Sequence, residues 1–379
     1  MRVSCLRKRS AYLLRRCIPI VTTVSFCVVS VSKAETIQRC TDANIQAVSM
    51  DDGWGLMDAD GRILTGQRYC GGGEYSDGLV PFERCSGNSK KQFVYLDGIG
   101  DERLTVDALH VGSFSEGLAP VQAESGKWGY IDRSAHFRIP AMFETAEPFS
   151  EGSAAVKIDD EWQYIDGRGN VLFKLRFDNW KVMAAYGFEQ GAALVILFDE
   201  KKNTYLKGVL DKSYHWLFDP TPNLAGGFRE RLAPMWEASS GKLGFVDQSG
   251  HFAIPPQFSY FSEYPFQEGL AAVYKGLAAE QKAGFVDEVG QWALSPRFEE
   301  ALHFCGGLAA VKESGKWGFV DAHGQFVILP QYDEADSFSG GIATVLKKDK
   351  AGALERMLIN KNGKVLYRSS NPASIIRVN

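Results

Sequence analysis

The histidine, cysteine and carboxylate side chains of this 379-residue chain do not group at spacings that predict a reactive site. No Gly-x-Ser-x-Gly motif, phosphate-binding glycine loop or dinucleotide fingerprint occurs, and no histidine pair or neighbouring cysteine pair has zinc-ligand spacing. The six histidines are His110, His136, His215, His251, His303 and His323. The adjacent acids Asp159, Asp160 and Glu161 are typical of a solvated turn. The sequence therefore predicts a protein that is not an enzyme and that uses no cofactor or metal.

A carboxylate or its amide does recur at one position of a repeated phrase, and glycine follows three residues later in seven of nine copies. An aspartate at the first position of a turn accepts a hydrogen bond from the backbone two residues on, and the glycine supplies a positive φ. Acidic loops with glycine can also bind calcium, but each copy supplies one carboxylate and no alternating ladder of aspartates. We therefore interpret the row as hairpin turns, beginning at Asp58, Asp97, Asp132, Asp166, Asp211, Asp247, Asp287, Asp321 and Asn360.

Tryptophan and glycine form a second row, ahead of these turns. The tryptophans could stack on a ligand or pack between repeats, and packing is favoured because other repeats carry phenylalanine, leucine or alanine there; they are Trp54, Trp128, Trp162 and Trp317. Glycine inside a strand indicates close approach of another group, and we expect a ring from a neighbouring repeat to lie over it. These glycines are Gly55, Gly129, Gly208, Gly244, Gly284 and Gly318.

The elements that carry these residues repeat every 34–40 residues, with the phrase Phe-Ser-Glu-Gly-Leu-Ala-x-Val between the turns. Each unit contains three short runs rich in β-branched and aromatic residues, bounded by Gly, Asp and Pro, which is the pattern of strands. A fixed period of this length indicates a repeat architecture. The sequence predicts an all-β array of about nine tandem repeats over residues 45–368, each a three-stranded antiparallel meander. The first strands begin near Ile45, Leu79, Leu118, Ser153, Ala192, Leu232, Leu270, Leu308 and Ile342.

The order of the two phrases resembles that of the WG-repeat (KWG) family of bacterial proteins. The resemblance covers residues 45–366 and is closest at 124–156 and 308–345, where Lys-Trp-Gly is intact. It is weakest in the fourth and fifth repeats, and Arg231 stands where Glu-Gly is expected. The resemblance implies a β-repeat with a role in binding or in envelope structure, and it carries over no catalytic residues.

Such meanders can stack as an open twisted β-solenoid or close into a β-propeller-like ring. Propellers have 4–8 blades of four strands, whereas about nine shorter units are counted here. Both ends carry whole units, and no split unit is evident. The open array is therefore the prediction and the closed ring its alternative, with residues 35–44 as an N-terminal cap and 369–379 as a C-terminal tail.

Residues 1–34 have the pattern of a secretory signal peptide. A basic segment precedes an apolar run from Cys17 to Val31, and small residues precede the predicted cleavage site after Ala34. An uncleaved membrane anchor is the alternative, although the run is shorter than the ~20 residues of a spanning helix. Cleavage removes seven basic residues and no acid, and it takes the net charge from −4 to −11. We expect a periplasmic or secreted protein that binds neither nucleic acid nor, after cleavage, a membrane.

Four cysteines remain after cleavage. In an oxidising compartment, the clustering of Cys40, Cys70 and Cys85 predicts one disulfide. In a three-stranded meander the first and third strands end on the same side, which favours Cys70–Cys85, with Cys40–Cys70 as the next choice. A Cys40–Cys305 bridge would contradict this placement of the strands.

The repeat is diluted over residues 171–231, where aromatic residues stand outside the standard positions. Drift in an interior repeat is one explanation. A partner-docking patch is the other, because aromatic residues concentrate at binding hot spots. Its candidate members are Trp180, Tyr186, Tyr214 and Trp216.

The predicted function is that of an exported, non-catalytic scaffold for protein interactions in the bacterial envelope. Extended β-arrays offer large surfaces, and no reactive site is evident. The alternatives are a glycan- or peptidoglycan-binding module that uses the repeat aromatics, and an inhibitor or accessory subunit of an exported enzyme.

Overall fold

The computed structural model describes residues 40, 43–85, 91–262, 266–276 and 280–369. The predicted signal peptide 1–34, most of the cap 35–44 and the tail beyond Ser369 lie outside these residues. Within the described ranges, no helix is long and apolar enough to cross a membrane. The described chain is all-β, and its strands form small antiparallel sheets.

The first four sheets follow one another along the chain. Sheet 1 contains β1 (Ile45–Met50) and β2 (Gly53–Asp58). Sheet 2 contains β3 (Gly71–Gly72), β4 (Leu79–Glu83), β5 (Gln92–Asp97) and β6 (Glu102–Asp107). Sheet 3 contains β7 (His110–Val111), β8 (Ala119–Gln122), β9 (Trp128–Ile131) and β10 (Phe137–Phe143). Sheet 4 contains β11 (Thr145–Ala146), β12 (Ala154–Ile158), β13 (Glu161–Ile165) and β14 (Val171–Lys174).

Five further sheets complete the described chain. Sheet 5 contains β15 (Lys181–Glu189), β16 (Ala192–Asp199), β17 (Thr204–Leu210) and β18 (Trp216–Thr221), and sheet 6 contains β19 (Ala233–Trp236), β20 (Leu243–Val246) and β21 (Phe252–Phe258). Sheet 7 contains β22 (Tyr260–Phe261), β23 (Leu270–Lys275), β24 (Lys282–Asp287) and β25 (Trp292–Phe298). Sheet 8 contains β26 (Glu300–Cys305), β27 (Leu308–Glu313), β28 (Lys316–Val320) and β29 (Phe326–Tyr332). Sheet 9 contains β30 (Glu334–Ala335), β31 (Ile342–Lys348), β32 (Leu354–Asn360) and β33 (Val365–Arg368).

The prediction of three strands in each repeat is wrong for most sheets, because seven of the nine described sheets have four. The additional strand opens each of these sheets and pairs with the strand that the sequence analysis placed first. In five sheets it is two residues long, as in β11, where Thr145 pairs with Lys157 and Ala146 with Val156. A pairing this short has no alternating apolar pattern for a sequence to display.

The turns that begin at the recurring Asp or Asn have the predicted geometry. In all nine, Oδ1 of the Asp or Asn accepts hydrogen bonds from the backbone N–H groups two and four residues later. In the turn at Asp166 these donors are Arg168, at 2.9 Å, and Asn170, at 2.8 Å. The glycine at the fourth position has a positive φ, for example +88° at Gly169. This carboxylate oxygen, which the sequence analysis interpreted as part of a hairpin turn and not as a calcium ligand, thus accepts hydrogen bonds within the turn itself.

The glycine after the tryptophan is required for a different reason from the one expected from the sequence. Opposite Gly318, three residues of β29 bulge out between the pairs Phe319–Ile328 and Trp317–Tyr332. A Cβ on Gly318 would lie 2.6 Å from the carbonyl oxygen of Ile328. The approaching group is thus the backbone of the same sheet, and a ring from a neighbouring repeat is not what requires glycine here.

The tryptophans pack between successive sheets, as the interpretation of a structural core predicts. Trp317 in sheet 8 is buried against Ala343, Val345 and Met357 of sheet 9. Trp162 is buried in the same way between sheets 4 and 5. Trp54 and Trp128 are half-buried against the cores that follow sheets 1 and 3.

Sheet 1 and sheet 9 also contact each other. Val48, Met50 and Met57 share a buried cluster with Ile342 and Leu358. The Arg356 guanidinium donates to the carbonyl oxygen of Ser49 at 2.7 Å, and the N–H of Asp51 donates to the Tyr367 hydroxyl at 2.8 Å.

Two disulfides are present. One joins Cys70 to Cys85, the pair favoured from the sequence, and the other joins Cys40 to Cys305. The expectation that the second bridge is incompatible with the strand placement is wrong. Cys40 lies at the end of β26 and so meets a residue of sheet 8.

Candidate functional site

Three turns carry a serine and a histidine after the aspartate, in the order Asp-x-Ser-x-His, which the sequence analysis did not single out. In the turn at Asp247, the Ser249 hydroxyl donates to Oδ1 of Asp247 at 2.5 Å, and it lies 2.7 Å from Nδ1 of His251. The turn at Asp132 repeats this arrangement with Ser134 and His136. These residue types are those of a nucleophile, a base and an acid.

The order of the contacts does not suit nucleophilic catalysis. In a Ser-His-Asp triad, the imidazole lies between the hydroxyl and the carboxylate and takes the proton of the hydroxyl. Here the hydroxyl lies between the other two groups and donates to the carboxylate. Hydrogen bonds from the side chain and backbone of Ser249 lower the pKa of Asp247. The arrangement therefore stabilises the ionised carboxylate of the turn aspartate.

His303 is the histidine whose pKa is shifted by its surroundings. It is buried in β26, and this burial lowers its pKa to about 4, so the ring is neutral at pH 7. Its Nδ1 lies 3.4 Å from the Ser337 hydroxyl. Among the residues that the structure describes, no group of three or more His, Cys, Asp or Glu could hold a metal ion.

The glutamate of the Phe-Ser-Glu-Gly phrase connects neighbouring repeats. Glu116 and Gly117 have φ values of +54° and +80°, and Ser115 and Leu118 exchange backbone hydrogen bonds around them. This is a two-residue hairpin turn with two positive φ angles. The carboxylate of Glu116 accepts the N–H of Gly152, in the next turn, at 3.0 Å. The same bond joins Asp77 to Gly117, Glu151 to Gly191, Glu230 to Gly269 and Glu268 to Gly307.

Glycine replaces this carboxylate in the last two repeats, at Gly306 and Gly340. A Cβ on Gly306 would collide with the Lys361 side chain, and one on Gly340 would collide with the backbone of Ile45. These positions are where the Cys40–Cys305 bridge is made and where the N-terminal segment crosses the turns. The repeat therefore departs from its own pattern where its first and last units meet.

The aromatic residues proposed as a docking patch lie at the interface of sheets 4 and 5. Trp180 and Trp216 approach edge to face at 6.4 Å, and Phe177 packs on Trp216 at 4.9 Å. The Trp216 ring lies over Gly208. At the equivalent Gly318 of sheet 8, the corresponding space is filled by the bulged backbone of β29. Trp216 is five residues after Asp211. Four of the other eight repeats have phenylalanine or tryptophan at this position, so the description of Trp216 as standing outside the standard positions is wrong.

The other two members of the proposed patch are placed differently. Tyr214 has a φ of +61° at a turn position that is usually glycine, and its ring stacks on Phe173 at 5.0 Å. The carbonyl oxygen of Tyr186 accepts a hydrogen bond from the buried Tyr164 hydroxyl at 2.8 Å. The Tyr186 side chain is 39% exposed. The structure thus brings Trp180 and Trp216 together.

Exposed apolar side chains concentrate on fourth strands. Each fourth strand ends the hydrogen-bonded order of its sheet, so its outer backbone edge pairs with no other described strand. In β29, Val327 and Leu329 are 47% and 68% exposed, whereas Ile328 between them is buried. The same strand position in sheets 3 and 4 exposes Phe137, Met142, Val171 and Leu172.

A comparison with protein families identifies the repeat. The profile described as "WG containing repeat" matches residues 128–162, 244–276, 284–317 and 317–350. The chain contains WG repeats at these four places. The four matched segments begin within β9, β20, β24 and β28, and in each of these strands the glycine lies opposite a bulge in the strand that follows. No curated protein sequence matches the chain.

The solved structures that resemble this chain are β-propellers. A crystal structure of the eukaryotic initiation factor has a TM-score of 0.56 at 10% identity, covering 86% of this chain and 96% of that one. The β-propeller domain of the Trilobed protease from Pyrococcus furiosus has a TM-score of 0.36 at 11% identity, covering 79% and 97%. The WD40 domain of Neurospora crassa Pan2 has a TM-score of 0.28 at 12% identity, covering 65% and 84%. At these identities the likeness concerns the fold alone.

Proposed function

We propose that this chain is an exported, non-catalytic scaffold that binds protein partners along the fourth strands of a closed ring of nine sheets. The observation that carries the binding role is the recurrence of exposed apolar side chains on strands whose outer backbone edge is unpaired. Such an edge can accept a strand from another chain, and the flanking side chains supply apolar contact. The buried apolar residues of the sheets pack in clusters between neighbouring repeats.

Contacts at the two ends of the array support the ring over the open solenoid. In sheets 2 and 3, Arg133 follows a turn aspartate and contacts Asp77 of the preceding repeat at 3.0 Å. Ala59 stands at the same position in sheet 1, and its Cβ lies close to Gly341 of sheet 9, where a Cβ added to the glycine would be 2.8 Å away. Sheet 1 thus follows sheet 9 in the relation by which sheet 3 follows sheet 2. Small-angle scattering of the mature chain should give a radius of gyration near the ~20 Å of a compact domain of this size, and an elongated particle would exclude the ring.

Export is proposed on two grounds. The N-terminal residues have the pattern of a signal peptide, and both disulfides need an oxidising compartment to persist. The bridges hold the N-terminal segment and the edge of sheet 2, so the fold depends on them. Expression of residues 35–379 in the reducing cytoplasm should yield a chain with four free thiols and a lower free energy of unfolding.

The alternative of a glycan-binding module has less support from the packing. Its ligand would stack on the repeat tryptophans, but Trp162 and Trp317 are buried between sheets. The carboxylates of the Phe-Ser-Glu-Gly turns are likewise occupied by backbone N–H groups of the next repeat. The buried members of the two rows therefore leave no face for a sugar ring, and Trp54 and Trp128 are only half-buried.

Affinity purification from envelope fractions tests the binding role. The exported chain carries a C-terminal tag, and the comparison variant Val327→Ser with Leu329→Ser removes two exposed apolar side chains and no buried one. Val289→Ser, at an exposed turn position, is the matched control. Partners should co-purify with the parent and the control and be lost from the variant. Partner recovery that is equal in all three would reject the fourth strand of sheet 8 as the binding surface.

A further inference from the structure

Buried side chains of several sheets donate a hydrogen bond to the backbone of the sheet that follows. The hydroxyl of Tyr95 in β5 donates to the carbonyl oxygen of Gly112 at 2.8 Å, and the hydroxyl of Tyr130 in β9 donates to that of Glu147 at 2.6 Å. Gly112 and Glu147 directly follow β7 and β11, the opening strands of sheets 3 and 4. A buried hydroxyl normally has such a partner. These hydrogen bonds join neighbouring sheets in addition to their apolar contacts.

Two cations make the same kind of hydrogen bond from the tryptophan row. Lys207 in sheet 5 donates to the carbonyl oxygen of Ala225, ahead of β19 in sheet 6, at 2.7 Å. Arg356 in sheet 9 donates to the carbonyl oxygen of Ser49 in sheet 1 at 2.7 Å. Each cation stands four residues before the residue that begins its turn, as Trp317 does. Valine and leucine replace the tyrosine two residues later in these sheets, so the cation takes the role of the hydroxyl.

The hydrogen bond of Arg356 joins two sheets that do not follow one another in the chain. Sheets 3 and 4 remain connected through the peptide chain even if a hydrogen bond between them is lost. Sheet 9 is the last described sheet and sheet 1 is the first, so their contact depends on side chains and on the disulfide. The cluster around Met50 and Leu358 supplies the apolar part of this contact. We call the contact between sheets 9 and 1 the seam.

Arg356 belongs to a polar group at the end of β1 that precedes the turn to β2. Its side chain is 6% exposed, and burial lowers the pKa of the guanidinium, whereas Asp336, Tyr367 and Asp51 act to raise it. The Tyr367 hydroxyl accepts the N–H of Asp51 at 2.8 Å, and the Ser369 hydroxyl donates to the Asp51 carboxylate. A guanidinium stays charged in proteins, and a buried charge that loses its partners is costly. Hydrogen bonds to sheet 9 therefore hold this end of β1.

The other end of β1 is held by the Cys40–Cys305 bridge. A Cβ on Gly340 would collide with the carbonyl oxygen of Ile45, so sheet 9 lies directly against the start of β1. Cys40 precedes this strand and is bonded to Cys305, the last residue of β26 in sheet 8. Sheet 1 is thus held covalently at one end of β1 and by hydrogen bonds at the other.

We propose that Arg356 and the Cys40–Cys305 bridge are two independent fasteners of the seam, and that sheet 1 separates from sheet 9 only when both are removed. Either fastener keeps the two sheets close together, so the remaining contacts re-form after a local opening. The ring then closes through the guanidinium before the bridge is oxidised. The proposal rests on the closed ring of the proposed function.

Hydrogen exchange at Asp51 measures what the guanidinium contributes, because the acceptor of this amide, the Tyr367 hydroxyl, lies on sheet 9. Arg356→Met should lower the protection of the Asp51 amide by about 10- to 150-fold, the range for a hydrogen bond made by a charged group. Arg356→Lys keeps the charge and a donor, and it should lose less protection. Tyr164→Phe is the matched control, because it removes a hydroxyl that donates to Tyr186 between two sheets joined by the chain. It should change the protection of Asp51 by less than about twofold.

The amide of Glu147 shows whether the Arg356→Met protein is folded. It donates to the carbonyl oxygen of Ala155 within sheet 4 at 2.9 Å, far along the chain from the seam, and its protection should not change. Unchanged protection of Asp51 would overturn the role of Arg356. Loss of protection at both amides would show that Arg356 supports the whole fold, which would overturn a role confined to the seam.

Spin labels at Asp60 and Asn362 measure the separation of sheets 1 and 9. Their distance should stay short in Arg356→Met and in the double variant Cys40→Ser with Cys305→Ser, and a long distance should appear when all three substitutions are combined. With the tyrosine substitution in place of Arg356→Met, the distance should stay short. A short distance in the combined protein, or a long one in either single-fastener variant, would overturn the proposal and leave the closed ring standing. A long distance in the parent would reject the ring and the proposal together.

Discussion

The two disulfides close very different lengths of chain, and this difference predicts how much each one stabilises the fold. Cys40–Cys305 joins residues 265 apart in sequence, whereas Cys70–Cys85 joins residues 15 apart. A cross-link lowers the entropy of the unfolded chain, and this effect grows with the logarithm of the number of residues enclosed. Replacing each pair by serine should therefore give unequal losses.

The magnitudes follow from the loop lengths. At 25 °C the enclosed 265 residues correspond to about 5.5 kcal/mol, and the enclosed 15 residues to about 3 kcal/mol. The double variant Cys40→Ser with Cys305→Ser should thus lose about 2.5 kcal/mol more than Cys70→Ser with Cys85→Ser. Both variants leave no unpaired thiol, so the comparison is between bridges alone.

Urea unfolding of the exported proteins measures the two losses. The free energy of unfolding is extrapolated linearly to water, with the slope compared to confirm that the unfolded states expose similar surface. The larger loss should come with the Cys40–Cys305 variant. Equal losses, or a larger one for Cys70–Cys85, would refute the placement of the N-terminal segment on the eighth repeat.

Three further perturbations test the packing of the repeat. Gly318→Ala should lower the free energy of unfolding by about 1–3 kcal/mol, because the new Cβ meets the bulged backbone of β29. The control Gly66→Ala places a Cβ in open space and should change the free energy of unfolding by less than about 0.5 kcal/mol. Equal effects of the two substitutions would contradict the bulge. Trp317→Ala should cost about 3–5 kcal/mol in the same urea assay, because the indole is buried between sheets 8 and 9, and a loss below 1 kcal/mol would mean that the indole faces solvent. Hydrogen bonds from the Asn170 side chain and backbone lower the pKa of Asp166. The stability that this carboxylate contributes is therefore full above its unfolded-state pKa and is lost as the pH falls through the lower folded-state pKa. Between pH 5 and about pH 2 the urea midpoint of Asp166→Asn should fall less than that of the parent, and parallel curves for the two proteins would reject the assignment.

The hairpin turns were predictable because their cause is local. An aspartate with glycine three residues later specifies both the hydrogen bonds of the carboxylate and the positive φ, and both are present at Asp166 and Gly169. The tryptophan row was predictable for a related reason. Substitution by aliphatic residues in other repeats indicates an apolar environment, and Trp162 and Trp317 are buried.

The features that the sequence did not reveal depend on residues distant in the chain or on very short pairings. The first strands are two residues long in five sheets, so no periodicity marks them. The cause of the Trp-Gly glycine became clear only from the strand register, which opposes Gly318 to a bulge. Cys40–Cys305 follows from the contact between the first and last repeats. The glycines that replace glutamate at Gly306 and Gly340 mark that contact, and they were the available signal.

The distance between sheet 1 and sheet 9 tests the closed ring most directly. Spin labels at Asp60 and Asn362, each two residues after the turn residue of its sheet, can be measured by electron–electron double resonance. Labels at Ser134 and Arg168 occupy the equivalent positions in the adjacent sheets 3 and 4 and give the reference distance. The ring predicts the same short distance for both pairs. A long distance between Asp60 and Asn362, with the reference pair unchanged, would show that the array is open.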